Sequence, residues 1–251
     1  MTEVSATVAK PFSLAGAPAL IERLWPAQKL SAEAKKERKA GSGQTLTALG
    51  SYWKGRKPLI LVRACVLASL LPATEDLEGD LALFERLMSM DDAAFGYRDA
   101  TRTPADLAVL ALQYGMPVDS FTTRQGEAIV ADEDFGEEVR LKRSGVIWRA
   151  GLSLAERSAV RAAILANLPY EERVASALRP EELDEAATLH IWASVNERLG
   201  TSASDLASLV EQLGVMRFGH RPRVADTFAG GGSIPFEAAR IGCDAVGSDL
   251  N

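Results

Sequence analysis

Residues 223–251, RVADTFAGGGSIPFEAARIGCDAVGSDLN, constrain the fold more than any other stretch of the chain. Val224, Ala225 and Asp226 read as the end of a short buried strand, and residues 229–232 as a turn free of bulky side chains. Ser233 is placed to cap a helix running to about Arg240, with Pro235 tolerated in its first turn. Gly242 stops that helix, residues 243–248 form a second short strand, and Asp249 falls at its carboxyl end. Strand, glycine turn, helix and strand make half of a doubly wound α/β unit. In such units the ligand lies beyond the carboxyl ends of the strands.

The glycine spacing narrows the ligand. After Gly230-x-Gly232 the third glycine of a dinucleotide fingerprint is replaced by Pro235, and no G-K-[ST] phosphate loop is present. The pattern that fits is D-x-F-x-G-x-G, as Asp226, Phe228, Gly230 and Gly232. It resembles motif I of S-adenosylmethionine-dependent methyltransferases. That resemblance implies cofactor contacts from Asp226, Phe228, Ala229, Gly230, Gly231, Gly232 and Asp249. Asp226 would attract the cofactor's ammonium, directly or through water. The glycines would let backbone approach it, and the helix N-terminus would favour its carboxylate. Asp249 follows Asp226 by 23 residues, near the spacing at which an acid accepts ribose hydroxyls in the analogous dinucleotide folds. The plainer alternative is a glycine turn of an unrelated α/β domain, with Asp249 a strand-end residue.

Upstream the patterning is mainly helical. The longest apolar run, residues 59–71, is LILVRACVLASLL, interrupted by Arg63 and Ser69 and bounded by Pro58 and Pro72. Its thirteen residues fall short of the roughly 20 that span a bilayer, so it reads as a buried helix. With no signal-peptide core at the N-terminus, the expectation is a cytoplasmic chain with no membrane partner. Apolar residues three and four apart mark helices over residues 80–90, 104–114, 153–168, 181–199 and 204–213, with Gly200 and Gly214 as stop signals. Residues 120–148 read as a hairpin or loop.

Charge is uneven along the chain. Residues 22–57 hold nine Lys+Arg against three acids, whereas residues 75–137 hold fifteen acids against four arginines. The first segment either meets an anionic partner or is a solvated helix surface. Trp25, Tyr52 and Trp53 lie in it, as stacking groups or as packing at helix ends. The acidic middle suits solvent or a partner protein.

Lys57-Pro58-Leu59 opens the apolar helix. It is similar to motif X of amino-methyltransferases, which packs beside motif I and helps hold the cofactor's methionyl end, so Lys57 and Pro58 join the implied cofactor contacts. Together the segments resemble bacterial adenine-specific DNA methyltransferases that carry an N-terminal domain of unknown function, some of them anti-phage-associated. The shared pattern appears as Ile21-Glu22, Pro26, Trp53, Arg56-Lys57-Pro58-Leu59 and Leu70-Leu71-Pro72, and resumes from Arg221-Pro222-Arg223 to Asp249-Leu250-Asn251. Many relatives carry a His and a Trp-Trp pair where this chain reads Gly50-Ser51-Tyr52-Trp53, so no role of that His carries over.

The resemblance implies an α/β chain in three parts. Residues 1–75 form the N-terminal family domain with the motif-X-like segment, and residues 76–220 a helical inserted region. Residues 221–251 begin a Rossmann-like methyltransferase domain, leaving it incomplete. From Val224 only 28 residues remain, too few for the sheet such a fold needs, so the chain reads as the N-terminal part of a longer enzyme.

The implied activity is S-adenosylmethionine-dependent methylation of adenine N6 in DNA, in anti-phage defence or restriction–modification, with defence proteins as possible partners. The alternatives are an RNA or other methyltransferase, or a non-catalytic assembly module. No catalytic residue is assigned, because the Asp/Asn-Pro-Pro-Tyr/Phe loop that grips a flipped base is absent from the sequence. Asn167-Leu168-Pro169-Tyr170 has Leu for the first Pro and reads as a helix end. The two histidines, His190 and His220, and the two cysteines, Cys65 and Cys243, have no metal-ligand spacing, so no metal site is expected.

Overall fold

The computed structural model describes residues 9–39, 57–99, 101–124, 145–183 and 188–250. It is a mixed α/β chain, mainly helical, with two small two-stranded sheets among these residues. By compactness it divides into one unit of Met1–Met88 with Pro180–Asn251 and another of Ser89–Arg179. The sequence partition at 75 and 220 follows motifs; this one follows packing.

The first unit is built around α3 (Leu59–Leu70). Leu59, Ile60, Val62, Ala64, Leu67, Ala68 and Leu70 are all buried, as expected of a helix apolar on most sides. Pro58 stands at its N-cap and Pro72 just beyond its end, so the two prolines do bound it. Around it lie α1 (Leu20–Arg23) and α2 (Ala27–Lys39). The unit also contains α4 (Leu77–Leu87), capped by Asp76, whose carboxylate accepts from Gly79 N at 3.0 Å.

The second unit contains α5 (Ala94–Arg98), α6 (Pro104–Gln113), β1 (Thr122–Arg124), β2 (Val146–Trp148), α7 (Leu154–Leu165) and α8 (Tyr170–Ser176). Capping boxes start α6 at Thr103 with Asp106 and α7 at Ser153 with Glu156. β1 and β2 pair antiparallel, with Thr123 opposite Ile147, while residues 125–144 of the expected hairpin or loop lie outside the described residues. At its centre Arg98 is fully buried, donating to Ser89 O at 2.7 Å and Leu178 O at 2.9 Å while its guanidinium lies over the Phe95 ring.

Back in the first unit, the described residues of the expected helix 181–199 do not run as one helix; residues 184–187 lie outside them. Short 3-10 turns at Pro180–Glu182 and Leu189–Ile191 precede α9 (Trp192–Leu199), which ends at Gly200. The next helix, α10 (Leu206–Phe218), runs through the expected stop at Gly214 and ends at Gly219. Gly214 serves packing instead: a Cβ there would lie 2.3 Å from the Pro222 ring, so the helix can approach the following strand only at a glycine. That strand is β3 (Arg223–Asp226), followed by α11 (Ser233–Arg240) and β4 (Asp244–Gly247).

β3 and β4 are parallel, paired from Arg223 with Asp244 to Asp226 with Gly247, so the β-α-β unit expected at residues 223–251 is formed. Each sheet has two strands among the described residues, and a wider Rossmann-type sheet is not formed there. No helix among the described residues is long and apolar enough to cross a membrane.

Candidate functional site

The parallel register brings the carboxyl ends of β3 and β4 to the same level, with Asp226 on one and Asp249 just past the other. Backbone bonds tie the two exits together: Ser248 N donates to Asp226 O, and Ala229 N to Ser248 O, both at 2.9 Å. The Asp226 carboxylate accepts from Phe228 N at 3.1 Å, which turns the chain out of the strand. Asp249 then reaches across, accepting from Gly230 N at 2.5 Å and from Leu250 N at 2.7 Å.

The start of α11 differs from the sequence reading. Gly232, not Ser233, is the N-cap; Ser233 is the first helical residue, buried, with no capping bond from its side chain. Gly232 has φ 71°, a left-handed turn in which a side chain would be strained, and this lets the loop enter the helix directly. A Cβ at Gly232 would meet no atom within 4 Å, so the front of the loop is open. Phe228 is 72% exposed beside it.

The loop therefore presents two carboxylates on neighbouring strand ends and the first-turn amides of α11, which have no intrahelical acceptor. Such a surface suits a ligand with an ammonium, hydroxyls and a carboxylate, and those groups are the ones on S-adenosylmethionine. The residue types present could hold such a group: Asp226 and Asp249 as acceptors for a cation and hydroxyls, and the positive end of α11 for an anion. Among the described residues no group of three or more His, Cys, Asp or Glu could hold a metal ion.

Lys57 and Pro58 lie 167 and 166 positions before Val224, yet all three line one groove of about 750 Å³. Its walls are largely apolar and include Leu61 and Cys65 of α3 and Ile234 of α11. The motif-X-like and motif-I-like segments thus meet in one unit. Gly230, Gly231, Gly232 and Asp249 do not line this groove; they stand at the strand ends. The N-terminus of α3 is already occupied from within: Glu37 of α2 accepts from Leu59 N at 2.8 Å and Ile60 N at 3.2 Å. No side-chain acceptor stands at Pro58, so Glu37 serves as the helix cap from a distance.

Sequence reasoning did not pair Arg63 with Glu237. Glu237 is fully buried on α11 and accepts from Arg63 Nε of α3 at 2.9 Å. Arg240 completes the cluster, with Nε on Glu237 Oε2 at 2.7 Å and Nη2 on Oε1 at 2.8 Å. The one available signal was Arg63 itself, a charge interrupting an apolar run, because a buried arginine demands an acceptor.

Trp25 lies 6.5 Å from Phe84, ring to ring, whereas Tyr52, Trp53, Arg56 and Asn251 fall outside the described residues. His220 stacks on Phe218, and its Nδ1 lies 2.6 Å from Arg221 O. Asn167 bonds back to Ala163 O and Ile164 O, and Pro169 caps α8, so residues 167–170 join two helices.

Residues 24–91 match the family described as "Protein of unknown function (DUF1156)", a stretch that holds α2, α3 and α4 and ends before the glycine loop. No curated protein and no solved structure matches the chain.

Proposed function

We propose that the chain carries the cofactor-binding start of an S-adenosylmethionine-dependent DNA methyltransferase acting on adenine N6, serving anti-phage defence or restriction–modification in the bacterial cytoplasm. One observation carries the reading: Asp226 and Asp249 flank an open glycine loop at the ends of adjacent parallel strands, with Gly230 N bonded to Asp249. When bound, S-adenosylmethionine supplies an electrophilic methyl group on its sulfonium. In this reading Asp226 receives the ammonium and Asp249 the ribose hydroxyls. The loop of Ala229, Gly230, Gly231 and Gly232 lies against the cofactor, and Phe228 shields one side of it. Lys57 and Pro58, at the groove, hold the motif-X-like end near β3.

Equilibrium dialysis of labelled S-adenosylmethionine against the 251-residue chain tests the cofactor assignment. Saturable binding is expected, weakened at least about tenfold by Asp226→Ala or Asp249→Ala, the loss of one charged hydrogen-bond partner. Absence of binding sinks it. Methylome sequencing with and without the gene tests adenine in DNA against an RNA or other substrate.

A second reading is a non-catalytic assembly module of a defence complex. Stable capture of a defence partner by a chain that binds no cofactor would select it.

A further inference from the structure

We infer that the buried Arg63–Glu237 pair is a positioning device that fixes α11, and with it the glycine loop at its N-terminus, in one register on α3, and so tunes the loop's affinity for its ligand. The inference rests on the reading of that loop as an S-adenosylmethionine site.

Glu237 lies little more than one helical turn beyond the Gly232 cap, on the same inward face as Ser233, four residues earlier. Its carboxylate has 0% side-chain exposure and both oxygens filled, Oε1 by Arg63 and Arg240 and Oε2 by Arg240. Arg63 stands one turn into α3, whose first residues follow directly on Lys57 and Pro58. The pair therefore joins two segments that the chain separates by 174 residues, each near its functional end.

Two helices packed through Ala, Leu and Val side chains can slide or rotate at small cost. A directional charged hydrogen bond selects one register. Stability alone is a weak reason for such a pair, since well-packed apolar residues of similar volume often replace a buried ion pair without loss. Positioning and stability are therefore separable by experiment.

The test uses the 251-residue chain, comparing wild type with Arg63→Met/Glu237→Met. Readouts are the unfolding midpoint, affinity for labelled S-adenosylmethionine, and amide hydrogen exchange over residues 229–236 without ligand. The expected result is an unchanged or raised midpoint, affinity weaker by about five- to tenfold, and faster exchange in the loop. Wild-type affinity together with wild-type exchange in the double variant overturns the inference and leaves the pair as packing. If the wild-type chain binds no S-adenosylmethionine, the cofactor reading falls, and the exchange comparison alone decides: faster exchange supports the positioning role, unchanged exchange overturns it. Should the double variant not fold, Glu237→Gln keeps the shape and removes the charge: the midpoint then falls, because Arg63 is left charged without its carboxylate, while the same weaker affinity and faster loop exchange are expected. Glu211→Gln, which breaks the exposed pair with Arg221, is the control and leaves affinity and exchange at wild-type values.

Discussion

Cys243 follows Gly242 at the exit of α11 and is 6% exposed, its amide donating to Ala238 O at 2.9 Å. Burial pushes its thiol up to about 11, with the charge of Asp244 adding to the rise and Arg221 opposing it. The folded chain resists ionising this thiol, whereas the unfolded chain ionises it from about 9.0, its ordinary value. Its contribution to stability is thus complete below pH 9 and lost as pH rises toward 11. Urea midpoints measured across that window should fall in the wild type, and Cys243→Ala should flatten this part of the fall. An unchanged slope would place the thiol in water and contradict its packing under α11.

At the scale of elements, α10 shows what a glycine can hide. Gly214→Ala adds helix propensity worth about 1 kcal/mol but drives a methyl into the Pro222 ring, 2.3 Å away. Overpacking of this kind costs about 1–3 kcal/mol, so net destabilisation is expected, read as a lower urea midpoint at constant slope. A rise in the midpoint would mean that α10 and β3 have room to separate.

The same residue marks where the sequence misleads. A glycine after a periodic run signals a helix end or a close approach, and only the position of Pro222 in space separates the two. The described parts of residues 181–199 misled in another way, because helical spacing of apolar residues is also met by short 3-10 turns that bury one residue each, such as Pro180 and Ile191. By contrast α3 and the β3–α11–β4 unit were readable, since their boundaries come from prolines, glycines and strand patterning within a few residues of one another. The placement of Asp226 and Asp249 at adjoining strand ends was readable for the same local reason. The contacts of Glu37 with the α3 amides and of Glu237 with Arg63 were not, since both cross between helices that no spacing rule connects.

At the scale of the molecule, the first unit is assembled from both ends of the chain, and Arg217 is one place where the parts are joined. It sits in the last turn of α10, 9% exposed. Its Nε donates to Leu70 O at 2.6 Å, Nη2 to Leu71 O at 3.0 Å, and Nη1 to Ala17 O at 2.9 Å. One guanidinium thus satisfies carbonyls at the end of α3 and in the N-terminal segment, with its charge at the negative end of the α3 dipole. Burial lowers its pKa and Glu22 opposes the drop, yet an arginine keeps its proton throughout the stable range. Beside it Leu20 N donates to Leu71 O, and Ala73 N to Pro18 O, both at 2.9 Å, so the N-terminal segment is laid against the end of α3. Arg217→Leu removes the charged donor and leaves the Leu70 and Ala17 carbonyls without it, while Leu71 O keeps its bond from Leu20 N, a loss of about 1–3 kcal/mol. Arg217→Lys should recover only part of it, because an ammonium lacks the planar fork that reaches several carbonyls at once. The urea midpoint reads the size of the effect. Hydrogen exchange at Leu20 and Ala73 reads its place: both amides should exchange faster in Arg217→Leu. Unchanged exchange there would mean that backbone pairing alone holds the N-terminal segment to α3.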